Sequence, residues 1–186
     1  MIKLLIEGDV TAPERGYGNN GIDFFVPNDT PEFRKALIDA NNNEYFDFCS
    51  YFTITDEGIV LKGGMNCDIK IPSFIHPLIP DGVDIRFVDK SGVGTKKKLF
   101  FVAKEIDYSY EGDMTFHLVN FGRKDQLIRF GEKIAQGVPN YTDNDPIQVY
   151  TLNDVSHDEF YRLHKSDRKQ KGFSEGTGNG LDPVKK

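Results

Sequence analysis

Hydrophobic and polar positions alternate along most of this chain in short runs. IKLLIEG near the start, IDFFVP at 22–27, YFDFCSYFTI at 45–54, GIVL at 58–61 and CDIKIP at 67–72 each read as a strand. DGVDIRFVD at 81–89, KKLFFVAKEI at 97–106 and DMTFHLVNF at 113–121 follow, and IRFGEKIAQGVPNY at 128–141 adds one more strand after a turn. DEG, KGG, PDG and SGVG separate these runs with turn residues. Short strands at even spacing predict an all-β sandwich, jelly roll or barrel. One segment breaks the pattern. In DTPEFRKALIDANNN, Thr30 is a candidate N-cap, Pro31 takes the first helical position, and Phe33, Ala36, Leu37 and Ala40 fall at helical spacing. This predicts a helix over roughly 31–40.

From about Thr142 the pattern fades. The chain becomes polar and charged, with one weak amphipathic patch, NDVSHDEFYRLHK, and a Gly-, Lys- and Ser-rich end, SDRKQKGFSEGTGNGLDPVKK. The expected organisation is a β domain over 1–140, with an insertion at about 28–58, and a C-terminal extension and mobile arm over 141–186.

Composition narrows the function classes. The chain has 186 residues, 38% hydrophobic and 28% charged, with 15 Phe, 8 Tyr and no Trp. That suits a soluble β domain with many turns. A net charge of -6 argues against general nucleic-acid or membrane-surface binding, which needs a dominant positive field. A small anionic ligand needs only a local basic pocket. Two cysteines without CxxC spacing point to a reducing, cytoplasmic compartment. The N-terminal apolar run is too short for a signal peptide, and nothing reaches membrane-spanning length.

Candidate chemistry lies in glycine-marked segments. In DKSGVGTKKK (89–98), Ser91, Gly92 and Gly94 allow close backbone approach to an anion, and Lys90, Lys96, Lys97 and Lys98 add positive charge. A solvated basic turn is the alternative. Walker A spacing is absent. In KGFSEGTG, Phe173 sits in a polar tail where its ring could stack on a planar ligand or anchor to the protein's own surface. The four histidines show no HxxxH or HxH spacing, and His117 reads as structural or exposed. Asp107 lies in AKEIDYSYEGDMTFHLVN, a strand-like stretch, and reads either as a solvated hairpin acid or as a catalytic base.

Five of these segments, in this order, resemble the motifs of the trimeric dUTPase family, the deoxyuridine triphosphate nucleotidohydrolases. NNGID resembles the first motif, with Gly21 and Asp23 matching. DKSGVGTKKKL resembles the second through Ser91, Gly92 and Lys96. EIDYSYEGDM resembles the third through Asp107, Tyr110 and Gly112, and GEKIAQGV the fourth through Gln136. RKQKGFSEGTG resembles the fifth through Arg168, Gly172, Phe173, Thr177 and Gly178. The chain departs from the family at Lys90, where Arg is usual, at Lys104, where a Gly usually opens the uracil hairpin, and at Ser109, Glu111 and Glu175.

The resemblance implies a jelly-roll or β-clip barrel of short strands and a Mg²⁺-dependent dUTP diphosphatase. Asp107 would activate the attacking water. Lys90, Ser91, Gly92, Gln136, Arg168 and Thr177 would contact the nucleotide phosphates. Tyr110 would pack under the deoxyribose, a hairpin from about Leu99 to Asp107 would read uracil, and Phe173 would close over the base. Asp23 would meet the metal through water at most, or brace the phosphate loop. The implied state is a homotrimer with shared sites, with no stable nucleic-acid partner. Two alternatives stay open: a relative that deaminates dCTP, and a regulatory protein of the same fold acting through the insertion.

Overall fold

The helix begins at its capping threonine. In a computed structural model, which describes residues 1–16, 20–42, 51–64 and 67–141, α1 spans Pro31–Asn41. Thr30 is extended, and its Oγ1 accepts the Phe33 N–H at 3.1 Å. Phe33 and Leu37, one turn apart, are both buried. The Phe33 ring meets Phe74 and Phe130 edge-on at 5.9 and 6.1 Å. Asn41, also buried, closes the helix. Its Nδ2 donates to the Leu37 and Lys70 carbonyls at 2.7 Å each, and its Oδ1 accepts the Lys70 N–H at 2.9 Å. One amide therefore stops the helix and fixes it to the sheet.

The strands are β1 (Lys3–Ile6), β2 (Ile22–Phe25), β3 (Phe52–Ile54), β4 (Gly58–Leu61), β5 (Asp68–Ile71) and β6 (Ile75–Leu78). They continue as β7 (Val83–Asp89), β8 (Leu99–Ala103), β9 (Glu105–Ile106), β10 (Phe116–Asn120), β11 (Gln126–Arg129) and β12 (Lys133–Tyr141). Gly92–Lys97 forms a short π-helical turn between β7 and β8. The strands pair antiparallel in four small sheets: β1-β6, β5-β10-β8, β11-β4-β3 and β2-β12-β7-β9. The expected all-β class holds. No closed barrel forms among the described residues, because most strands hold only three to five residues before a turn or a register shift ends the pairing.

An aromatic cluster joins the two larger site-bearing sheets. Phe87 on β7 lies 5.5 Å from each of Phe24 on β2, Phe101 on β8 and Phe116 on β10. All four rings are buried. Each such ring removes a large apolar area from water, and offset or edge-on contact adds to that.

One expectation needs correction. The stretch from Leu99 to Asp107 is not a self-paired hairpin: β8 pairs with β10, and β9 pairs with β7. The chain changes sheets at Lys104, whose carbonyl accepts the Phe87 N–H at 2.7 Å. The run 45–54 yields β3 over Phe52–Ile54, while 43–50 lies outside the described residues. No helix among the described residues is long and apolar enough to cross a membrane.

Candidate active site

The first, second and fourth glycine-marked segments converge on one carboxylate. Asp23 on β2 stands opposite Gln136 on β12, and Gln136 stands opposite Val88 on β7. Gly21, just before β2, lies under the Gln136 side chain. A Cβ there would fall 2.4 Å from Gln136 Cγ, so glycine is required for this contact. The Asp23 side chain is 4% exposed and carries two cations. Lys90 Nζ lies 2.5 Å from its Oδ1, and Lys133 Nζ lies 2.8 Å from its Oδ2. Burial alone would raise the Asp23 pKa. Hydrogen bonds from Lys133 and Lys90 outweigh it and hold the carboxyl below its usual range.

Over this ion group opens a pocket of about 410 Å³, lined by Asp89, Lys90, Ser91, Gly92, Val93, Glu132, Lys133 and Gln136. Four residues singled out in the sequence, Lys90, Ser91, Gly92 and Gln136, therefore share one cavity. Apart from its neighbours in the same turn, no described residue lies within 4 Å of a Cβ built on Gly92. Its own fold leaves that side open for close approach of a ligand.

The acids of the pocket are all paired. Glu132 takes Lys97 Nζ at 2.6 Å on Oε2, and Lys97 also donates to the Leu127 carbonyl at 2.7 Å. Asp89 takes Lys104 Nζ at 2.8 Å. Lys133 reaches Glu14 at 3.0 Å as well as Asp23, and lies 5.3 Å from the centre of the Phe25 ring. Its hydrogen bonds to Asp23 and Glu14 raise its pKa. Lys96 is exposed and forms no ion pair among the described residues.

Lys133, Glu132, Asp89 and Val93 were not among the residues singled out. Lys133 was hidden by strand periodicity, since positions 133 and 136 of a regular strand point to opposite faces. The register shift between Lys133 and Ala135 brings both to the pocket.

Asp107 and Tyr110 do not line this pocket. Asp107 is not flanked by strand on both sides. It follows β9 directly and opens a turn, in which its carbonyl accepts the Tyr110 N–H at 3.0 Å. The Asp107 carboxylate is exposed and has no hydrogen-bond or ion-pair partner among the described residues. The far end of the loop is tied down. Asp113 accepts the Ser73 N–H at 3.1 Å, the Ser73 hydroxyl at 2.8 Å and the Ile75 N–H at 3.1 Å. Tyr110 Oη donates to the Asp113 carbonyl at 2.7 Å, and burial, then the charge of Asp113, raises its pKa. His117 pairs with Asp68 at 2.7 Å across β10 and β5. Arg168, Phe173 and Thr177 lie outside the described residues.

No protein-family model matches the chain. Its sequence is similar to deoxyuridine 5'-triphosphate nucleotidohydrolases. That of Caulobacter vibrioides is 36% identical over 85 residues, 45% of this chain and 54% of the relative. That of Finegoldia magna is 26% identical over 147 residues, 74% of this chain and 94% of the relative. The chain thus spans about half the length of the first of these relatives. A Staphylococcus bacteriophage 80alpha dUTPase solved with dUpNHpp superposes with a TM-score of 0.58 at 19% identity, over 99% of both chains. The chain is similar to dUTPases in sequence and shares their fold. The native dUTPase of EIAV gives a TM-score of 0.55 at 16% identity, over 83% of this chain and all of its own. Likeness to the dUTPases thus extends from short motifs to the whole fold.

Proposed function

We propose that the protein is a dUTP diphosphatase, which hydrolyses dUTP to dUMP and pyrophosphate. One observation supports this above all. Asp23, Lys90, Ser91, Gly92 and Gln136, from three separate dUTPase-like segments, meet around a pocket with an open glycine backbone and ammonium groups at its wall. That is a setting for a polyphosphate.

In the proposed reaction, a water attacks the α-phosphorus in line with the bond to the bridging oxygen. The new O–P bond forms as the old one breaks, and pyrophosphate leaves with the bridging oxygen. Asp107 takes the proton of the attacking water. Its carboxylate has no hydrogen-bond or ion-pair partner among the described residues. Lys90, the Ser91 hydroxyl, the backbone at Gly92, and Gln136 hold the phosphates, with Arg168 and Thr177 completing the set. Tyr110 packs under the sugar and Phe173 covers the base.

Mg²⁺ belongs to the substrate in this scheme. The described residues contain no group of three or more His, Cys, Asp or Glu side chains able to hold a metal, and two ammoniums occupy Asp23. This fits a cation that arrives on the triphosphate and keeps most of its waters. A structural Mg(II) ion features in the dUTPase of phage phi11 of S. aureus.

Asp107 does not line the pocket of its own chain, which favours a homotrimer in which one subunit's Asp107 serves a neighbour's phosphate site. The arm over 141–186 is the proposed lid. The deciding experiment supplies purified protein and Mg²⁺ with dUTP, dCTP, dTTP and UTP in turn, reading pyrophosphate and ammonia. Pyrophosphate from dUTP alone is the expected outcome. Ammonia from dCTP would replace this reading with deamination, and no product from any nucleotide would end it.

A further inference from the structure

Asp23 is one nearly buried anion with two cations, and the two are held differently. Lys90 Nζ touches Asp23 at 2.5 Å, its side chain remains 25% exposed, and it borders Ser91 and Gly92 in the pocket. Among the described residues, Asp23 is its only charged partner. Lys133 is held by Asp23 at 2.8 Å, by Glu14 at 3.0 Å and over the Phe25 ring at 5.3 Å. It also rises from β12, directly paired with β2 at Phe25. An ammonium with one tether can swing, and an ammonium with three stays.

We infer that Lys133 is a positioning residue that releases Lys90 to the phosphates by keeping Asp23 neutralised. This rests on the phosphate-binding reading of the pocket. A carboxylate buried as deeply as Asp23 cannot lose its only counter-ion without a large desolvation cost. With Lys133 in place, Lys90 moves from Asp23 to an incoming anion and leaves a compensated pair behind. Without Lys133, Lys90 becomes the sole partner of Asp23, and an anion must break a buried ion pair to recruit it. Glu14, 3.0 Å from Lys133, helps hold Lys133 at the pocket wall beside Asp23 when Lys90 moves.

The test is calorimetric binding of tripolyphosphate to the full-length protein, with folding checked by circular dichroism. Lys133→Met is expected to weaken binding about tenfold or more, in line with the penalty for stranding a buried charge. Lys133→Arg keeps the cation and is expected to stay close to wild type. In Asp23→Asn/Lys133→Met the carboxylate no longer holds Lys90, and binding is expected to recover to within about threefold of wild type, a difference below 1 kcal/mol. Wild-type affinity in Lys133→Met overturns the proposal. So does a double variant as weak as the single one, which would mean that Lys133 itself carries the phosphate contact. Should Lys133→Met fail to fold, Asp23→Asn alone decides: both lysines are then free, so a tenfold loss of affinity refutes the inference.

Tripolyphosphate has neither base nor sugar and is read here without hydrolysis. Absence of dUTP cleavage would therefore sink the proposed reaction and leave this test standing. Failure of the wild type to bind tripolyphosphate would sink the role of Lys133 by itself. In the turnover assay, the corresponding sign is a raised KM for dUTP in Lys133→Met with little change in kcat, because the lost interaction concerns binding rather than proton transfer.

Discussion

Lys104 Nζ lies 2.8 Å from Asp89 Oδ2, which joins the root of the loop after β7 to the bend between β8 and β9. Asp89 is the last residue of β7 and directly precedes Lys90. Its other oxygen accepts the Phe101 N–H at 2.9 Å. The two partners are therefore unequal. Lys104 is 39% exposed at its side chain, so losing its charge is expected to cost under about 1 kcal/mol. Asp89→Ala also strands a backbone N–H at a half-buried position, which adds about 1–3 kcal/mol. Urea unfolding of Lys104→Met and Asp89→Ala should thus show the larger loss for Asp89. Equal losses would mean that the Phe101 hydrogen bond adds nothing.

Asp107→Asn keeps the size of the side chain and the turn at Tyr110 but removes the base. Positioned acid–base catalysis is worth roughly 10²- to 10⁴-fold, and the loss in kcat for dUTP should fall in that range. Because the carboxylate has no internal partner among the described residues, unfolding free energy should move by less than about 0.5 kcal/mol. Pyrophosphate release and urea unfolding on the same preparation check both halves. Retained turnover would remove Asp107 from the mechanism.

What the sequence revealed follows from which signals are local. The helix was legible because cap, proline and apolar spacing all lie in one continuous stretch, from Thr30 through the 11 residues of α1. The pocket residues Lys90, Ser91 and Gly92 were legible as a group, since they are adjacent. Three features were not. β6 runs through Pro77, which reads as a break, yet it sits in a two-stranded edge sheet opposite Leu4. The bend at Lys104 depends on Asp89 and Phe87, which are distant in sequence. Lys133 depends on a register shift that periodicity cannot reveal.

The lysine pair on Asp23 sets an acid dependence. Its folded pKa lies below its unfolded value of about 3.9. A carboxyl depressed in this way contributes stability that is fully present above the unfolded value and is lost as pH falls through the folded one. Asp23→Asn lacks that contribution at every pH and leaves Lys90 and Lys133 without their shared anion. The gap in unfolding free energy between wild type and Asp23→Asn should therefore be widest near neutral pH. It should narrow from about pH 5 downward as Asp23 protonates in both states. Urea titrations at a series of pH values measure the gap directly. A gap that stays constant to pH 3 would place the carboxyl outside the ion group.

Asn120 ends β10 with no exposed surface and ties two segments, 61–62 and 122–124, around one side chain. Its Nδ2 lies 3.3 Å from the Leu61 carbonyl and 3.0 Å from each of the Lys62 and Lys124 carbonyls, while its Oδ1 accepts the Gly122 N–H at 2.9 Å. Alanine would leave these groups facing a void, at an expected cost of about 2–4 kcal/mol. Aspartate is the sharper substitution. It keeps an acceptor for Gly122 but turns a second oxygen, with charge, toward three carbonyls. Burying an unpaired carboxylate against acceptors is worse than a cavity of that size. Asn120→Asp should therefore unfold at lower urea than Asn120→Ala at pH 7, and the difference should shrink as the acid is protonated. If the aspartate variant were the more stable of the two at pH 7, donation by Nδ2 would not be what holds the segments together.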